Sequence, residues 1–155
     1  MAMRVPVSWL REYVQFDLPL KELAQRLVIT SCEVDRIVTR GVPDVEGNLA
    51  NFRVGRVLEA DKHPNADRLQ LCSVDVGETE PRQIVCGAWN FGAGATVAVA
   101  LPGAVLPDGR TLGEAKLRGE TSSGMILAED ELELGADHSG IMLLPGELEP
   151  GTLLA

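Results

Sequence analysis

The sequence predicts a mainly β protein, in which a small α+β module precedes a five-stranded antiparallel barrel or sandwich. From Phe52 onward, short runs rich in Val and Ile recur at even spacing. Each is bounded by Gly, Pro, Asn or Asp, with no long helical period between them. Ahead of them Leu20, Leu23, Ala24 and Leu27 fall at i, i+3, i+4 and i+7, the apolar stripe of an amphipathic helix. A length of 155 residues, 45% hydrophobic and 24% charged, allows one sizeable domain with a small appendage and is not the composition of a disordered chain.

The appendage comes first. Ser8 is placed to cap a short helix from Trp9 to Val14, because its hydroxyl can accept from a free N–H of the first turn. Pro19 suits the first turn of a second helix, where a missing N–H costs nothing. Cys32 to Val38 alternates loosely and is rich in Val and Ile, which predicts a strand. Residues 1–40 are too few to bury much core alone. They are expected to pack on the barrel through Trp9, Leu23 and Leu27.

Gly41 to Asn48 reads as a turn-rich connector, and residues 49–155 as the β domain. The five predicted strands run Phe52 to Ala60, Leu69 to Val76, Arg82 to Cys86, Thr96 to Leu101 and Gly124 to Leu127. Gly55, inside the first, marks a sharp bend that lets one strand serve both sides of a barrel.

The net charge of −9 opposes strong, unspecific polyanion binding, but it is not evenly spread. Residues 1–48 and 49–127 are each within one charge of neutral, whereas residues 128–155 hold seven acidic side chains and no basic one. A balanced domain can still present a basic face if its charges segregate. Cys32, Cys72 and Cys86 are odd in number and far apart, and His63 and His138 do not cluster with them. Buried thiols in a reducing compartment fit better than a zinc site or a disulfide framework. No apolar run approaches the roughly 20 residues of a membrane span, and the N-terminus lacks the apolar region of a secretory signal. A cytoplasmic location follows as the expectation.

Familiar catalytic motifs are missing. Gly92-Ala-Gly94 lacks the Lys-Ser/Thr of a phosphate loop, and Ser122-Ser123-Gly124 lacks the glycine of a nucleophile elbow. The acidic run Glu129-Asp130-Glu131 with Glu133 reads as a solvated turn rather than a cation site. No catalytic residue and no metal ligand is assigned.

The most informative stretch is His63-Pro64-Asn65-Ala66-Asp67-Arg68-Leu69, followed by Val74-Asp75-Val76-Gly77 and Ile84-Val85-Cys86-Gly87. On its chemistry alone it is a well-formed loop between two strands: the residue before proline avoids helix, and Asn tolerates tight turns. Together with Gly87-Ala88 and Ser122-Ser123-Gly124-Met125, however, it resembles the tRNA-binding domain shared by many synthetases and by free-standing tRNA-binding proteins. Further stretches resemble the N-terminal region of bacterial phenylalanyl-tRNA synthetase β chains. They are Val5 to Val14, the Leu23-Ala-Gln-Arg-Leu27 helix, Glu33-Val-Asp35, Leu101-Pro-Gly-Ala-Val-Leu-Pro107, Lys116-Leu-Arg-Gly119 and Asp137-His-Ser-Gly-Ile141. The chain departs from that pattern at Trp89, where the β form commonly has proline.

The resemblance implies an OB-fold barrel with a C-terminal extension, acting as an auxiliary tRNA contact. The implied parent is an α2β2 ligase that joins phenylalanine to its tRNA with ATP and Mg²⁺, its active site on the α subunit. The partners implied are tRNA, the α subunit and the remaining β domains. An OB-fold binds nucleic acid by pairing a cationic groove with aromatic faces. The cationic candidates are Arg53, Arg56, Lys62, Arg68, Arg82, Lys116 and Arg118; each is weighed against a merely solubilising surface role. His63, Asn65, Trp89, Asn90 and Ser123 complete the candidate set. For His63 loop structuring is the stronger role, and for Trp89 and Phe91 stacking and core packing are balanced. Two other readings stay open: a structural or protein-interaction module with a vestigial groove, and a free-standing tRNA-binding protein, which the N-terminal module disfavours.

Overall fold

The computed structural model describes residues 3–154, which form two compact units, divided between Thr39 and Arg40. The first holds two helices, α1 (Val7–Tyr13) and α2 (Leu20–Thr30). Both begin directly after a proline. Pro6 and Pro19 have extended ψ of 133° and 141°, and their carbonyls accept from Leu10 and Leu23 at 3.1 and 3.0 Å. Ser8 therefore lies inside α1 and makes no cap, because the locked proline sets the boundary two residues earlier than a hydroxyl there requires. Trp9 and Tyr13, one turn apart, meet edge to face at 5.5 Å. On α2, Leu23, Ala24 and Leu27 are half-buried, and Glu22 pairs with Arg26 at 2.8 Å. The strand expected from Cys32 to Val38 does not form. The segment has no regular structure and no ladder partner among the described residues, and β propensity alone does not make a strand. The unit is thus two helices and an irregular segment.

The second unit is a barrel. Its main sheet has the order β3-β2-β1-β4-β7, all antiparallel, built from β1 (Phe52–Lys62), β2 (Gln70–Asp75), β3 (Arg82–Cys86), β4 (Thr96–Ala100) and β7 (Met125–Ile126). All five coincide with the predicted strands. A separate hairpin of β5 (Ala115–Leu117) and β6 (Glu120–Ser122) was not anticipated. Ser122 and Ser123 draw the edge strands together. The Ser123 N–H donates to Gln83 O at 2.8 Å, and the Ser122 hydroxyl accepts from Val85 N at 3.0 Å while donating to Gly124 O.

The core follows from alternation along β4. Val97 and Val99 point into the barrel with Val57, Val74, Ile84 and Ile126, while Ala98 and Ala100 face a second cluster with Phe52, Ala104, Leu127 and Leu132. Every residue of β4 is buried because both faces are covered. Ile84 and Val74 expose no surface, and burial of such side chains contributes ~1.5–3 kcal/mol each. The outer covering is the C-terminal extension, which runs back along the sheet. Val54 N donates to Thr152 O, Gly151 N to Val54 O and Leu144 N to Thr96 O, each at 2.8 Å.

Gly55 is required by a close approach rather than by a bend. A Cβ there would stand 2.6 Å from Val99 Cγ2 and 2.8 Å from Val74 Cγ1. The ladder from Phe52 to Arg56 is unbroken, and the register shift falls further on, between Val57 and Glu59. Arg53 and Arg56 therefore project to opposite faces. The connector is fastened through Asn48, which is buried and fully bonded: Nδ2 donates to Pro43 O and Val105 O at 2.9 Å, and Oδ1 accepts from Val105 N at 2.7 Å.

Candidate nucleic-acid interface

The loop between β1 and β2 and the tip of the β5–β6 hairpin lie 50 residues or more apart in sequence and are joined by two hydrogen bonds. His63, 2% exposed, uses both ring nitrogens: Nδ1 accepts from Asn65 N at 3.0 Å, and Nε2 lies 3.1 Å from Leu117 O. A carbonyl can only accept, so this pattern fixes the neutral tautomer with its proton on Nε2. Asn65 Nδ2 then donates to Arg118 O at 3.1 Å. The turn it holds has positive φ at both central residues, 52° at Arg118 and 100° at Gly119, the requirement of a two-residue type I′ turn. His63 is thus the strut of this region and is enclosed within it, away from any direct ligand contact.

Around the strut stand exposed cations. Lys62 ends β1 and pairs with Asp67, whose carboxyl that hydrogen bond holds below its ordinary range. Arg68, Lys116 and Arg118 are exposed, and no side-chain ion pair involves them among the described residues. Lys62, paired with Asp67, and Arg68, Lys116 and Arg118 thus lie on two segments tethered to each other, in a chain whose net charge is −9.

The remaining candidates are committed elsewhere. Arg56 donates to Gly146 O and Leu148 O at 2.8 and 3.1 Å, clamping the C-terminal extension. Arg82 makes a two-pronged pair with Glu78 at 2.8 and 3.0 Å, which pulls the Glu78 carboxyl below its ordinary range. Arg53 approaches the same carboxylate at 4.0 Å. Both arginines are thus engaged by one carboxylate, Glu78, which leaves that cluster with one net positive charge. Ser123 donates to Glu114 and bonds through its backbone to β3.

Trp89 and Phe91 part company. Phe91 packs against the barrel core, whereas Trp89 is 54% exposed in the β3–β4 loop, with its indole N–H donating to Arg68 O at 3.3 Å. Asn90 grips the extension in both directions, Nδ2 to Ile141 O and Ile141 N to Oδ1, each at 3.0 Å. It is a structural clamp.

Of the cysteines, Cys72 and Cys86 are buried as expected, but Cys32 is exposed. Burial pushes the Cys72 thiol up to about 12 and raises Cys86 as well, so neither is a nucleophile at neutral pH. Among the described residues no three His, Cys, Asp or Glu side chains converge to hold a metal ion. No helix there is long and apolar enough to cross a membrane.

A five-stranded barrel whose cations collect on the loop after its first strand and the excursion between its fourth and last is the architecture of an oligonucleotide-binding barrel. Residues 52–153 match the family model tRNA_bind, described as "Putative tRNA binding domain", and the chain belongs to that family. It is 44% identical over 154 residues to the phenylalanine–tRNA ligase β subunit of Bacteroides thetaiotaomicron, covering 97% of this chain and 18% of the relative. Identity to the corresponding subunit of Symbiobacterium thermophilum is 48% over 151 residues, covering 96% and 16%. Among solved structures, the C-terminal domain of Plasmodium vivax p43 superposes with a TM-score of 0.50 at 30% identity, over 65% of this chain and 56% of that one. The chain spans less than a fifth of the curated relatives it matches.

Proposed function

We propose that this chain is the accessory tRNA-contacting portion of a phenylalanine–tRNA ligase β subunit, and that Lys62, Arg68, Lys116 and Arg118 form its contact face. The observation that supports this reading is the His63–Asn65 bridge, which tethers the segment bearing Lys62 and Arg68 to the hairpin bearing Lys116 and Arg118 within an acidic chain. Phosphate contacts of this kind supply affinity and orientation but no base information. Binding is therefore weak, salt-dependent and largely indifferent to sequence. The parent is a cytoplasmic α2β2 enzyme that joins phenylalanine to its tRNA using ATP and Mg²⁺. Its chemistry belongs to the α subunit, and this chain contributes positioning alone.

The test is a titration of the chain with tRNA at two salt concentrations. Converting Lys116 and Arg118 together to Ala lowers the salt slope by about 1.5, since each neutralised phosphate contributes roughly 0.7–0.9. An unchanged slope and affinity would make these residues ordinary surface charges. A protein-interaction role is the second reading. It is favoured by the exposed apolar side chains Val28, Ile29, Ile37 and Val38 of the N-terminal unit, and a chain that ignores tRNA at low salt would support it.

A further inference from the structure

We infer that Trp89 is a built stacking platform for an unpaired nucleobase, so that this chain binds single-stranded or looped-out RNA in addition to duplex phosphates. This rests on the tRNA-contact reading above and specifies its ligand. Three consecutive residues of the β3–β4 loop are each tied to a different part of the barrel. Ala88 O accepts from the buried Gln70 Nε2 on β2 at 2.7 Å. The Trp89 indole N–H donates to Arg68 O, on the β1–β2 loop. The Asn90 amide is clasped by Ile141 of the extension, and Gly140 lies so close that a Cβ there would stand 2.4 Å from Asn90 Cγ.

A large aromatic side chain normally gains by burial, and the neighbouring Phe91 does so. Trp89 instead keeps 54% of its surface in solvent while its only polar atom is satisfied. Its ordering is supplied by the fold, so a base that stacks on it meets a surface already fixed, and less conformational freedom is lost on binding. The hydrogen bond to Arg68 also places the ring beside the cation-bearing loop, where phosphates arrive. An aromatic face next to cations is the arrangement that binds single strands, because every base has a π-face.

Trp89→Ala, Trp89→Phe and the unchanged chain are titrated with three probes at two salt concentrations. The probes are a short oligoadenylate, the same oligomer with abasic sites, and a blunt RNA duplex. Trp89→Ala is expected to weaken oligoadenylate binding about tenfold, within the range for loss of one stacked base. Binding of the abasic oligomer and the duplex stays unchanged, and Trp89→Phe keeps most of the affinity for oligoadenylate. The salt slope is also unchanged, since no phosphate contact is removed. Equal losses on the abasic oligomer and oligoadenylate, or no loss on either, overturn the stacking platform while leaving the cationic surface standing. Failure of the unchanged chain to bind any of the three probes overturns both.

Discussion

His63→Ala is the most direct perturbation of the contact surface. The imidazole is 2% exposed and serves two backbone partners, Asn65 N and Leu117 O, at 3.0 and 3.1 Å. Removing it strands both. Asn65 and Leu117 are exposed residues, so water can replace part of each bond, and the cost sits near the low end, about 1 kcal/mol apiece. The void left by the ring adds roughly another 1 kcal/mol. The total, about 3 kcal/mol, corresponds to a fall in melting temperature of roughly 6–12 °C for a chain of this size. Urea unfolding followed by circular dichroism measures it, and tRNA affinity is expected to drop in parallel as the hairpin tip loses its anchor. His63→Gln retains a donor and an acceptor and should recover part of both losses. A destabilisation below about 1 kcal/mol in His63→Ala, with tRNA affinity intact, would refute the claim that the imidazole holds loop and hairpin together.

Two further substitutions probe the barrel. Gly55→Ala forces a methyl against Val99 and Val74, and it should lower stability by about 1–3 kcal/mol in denaturant unfolding without altering the salt slope of tRNA binding. Burial raises the Glu131 carboxyl above its ordinary 4.5, although its Oε2 accepts from Ala128 N at 2.8 Å. A folded state that binds this proton more tightly than the unfolded chain gains stability as pH falls and loses it as pH rises through the folded value. Glu131→Gln should therefore raise the melting temperature at pH 7, with the gain fading as pH falls through the folded value and gone below about pH 4.5; a gain that persists at pH 3 would contradict the sign.

The five barrel strands were legible in the sequence because alternation and turn residues are local signals. The β5–β6 hairpin was not, because all three residues of β5 are exposed and no apolar alternation marks them. Its one signal is the pair Arg118-Gly119 at the turn, where glycine takes the second left-handed position. Cys32 to Val38 had the composition of a strand, and only a pairing partner, which composition cannot reveal, decides the matter. For the contact surface, sequence supplied the list of cations but not their sorting. Arg56 is occupied by carbonyls some 90 residues further along, and Arg82 and Arg53 share Glu78, whereas among the described residues Arg68, Lys116 and Arg118 are exposed and outside any ion pair. Long-range commitments of this kind leave no mark in a short window of residues. Asn48 shows the same limit: nothing in a turn-rich connector announces an amide that will be buried against Val105.

The apparent conflict between a net charge of −9 and a polyanion ligand is resolved by β1, whose two ends serve different purposes. At Phe52 to Arg56 the strand bonds to the acidic extension, and the Arg56 guanidinium holds the carbonyls of Gly146 and Leu148, which flank Glu147. At its other end the strand delivers Lys62 and then His63 to the cationic loops. Six residues at ~3.3 Å each separate Arg56 from Lys62, about 20 Å along the strand. That is more than twice the screening length of about 8 Å at physiological salt, so carboxylates at one end scarcely reduce the attraction at the other. In the proposed reading the labour is divided physically: phosphates would meet Lys62, Arg68, Lys116 and Arg118, and the uncharged face of a base would stack on Trp89.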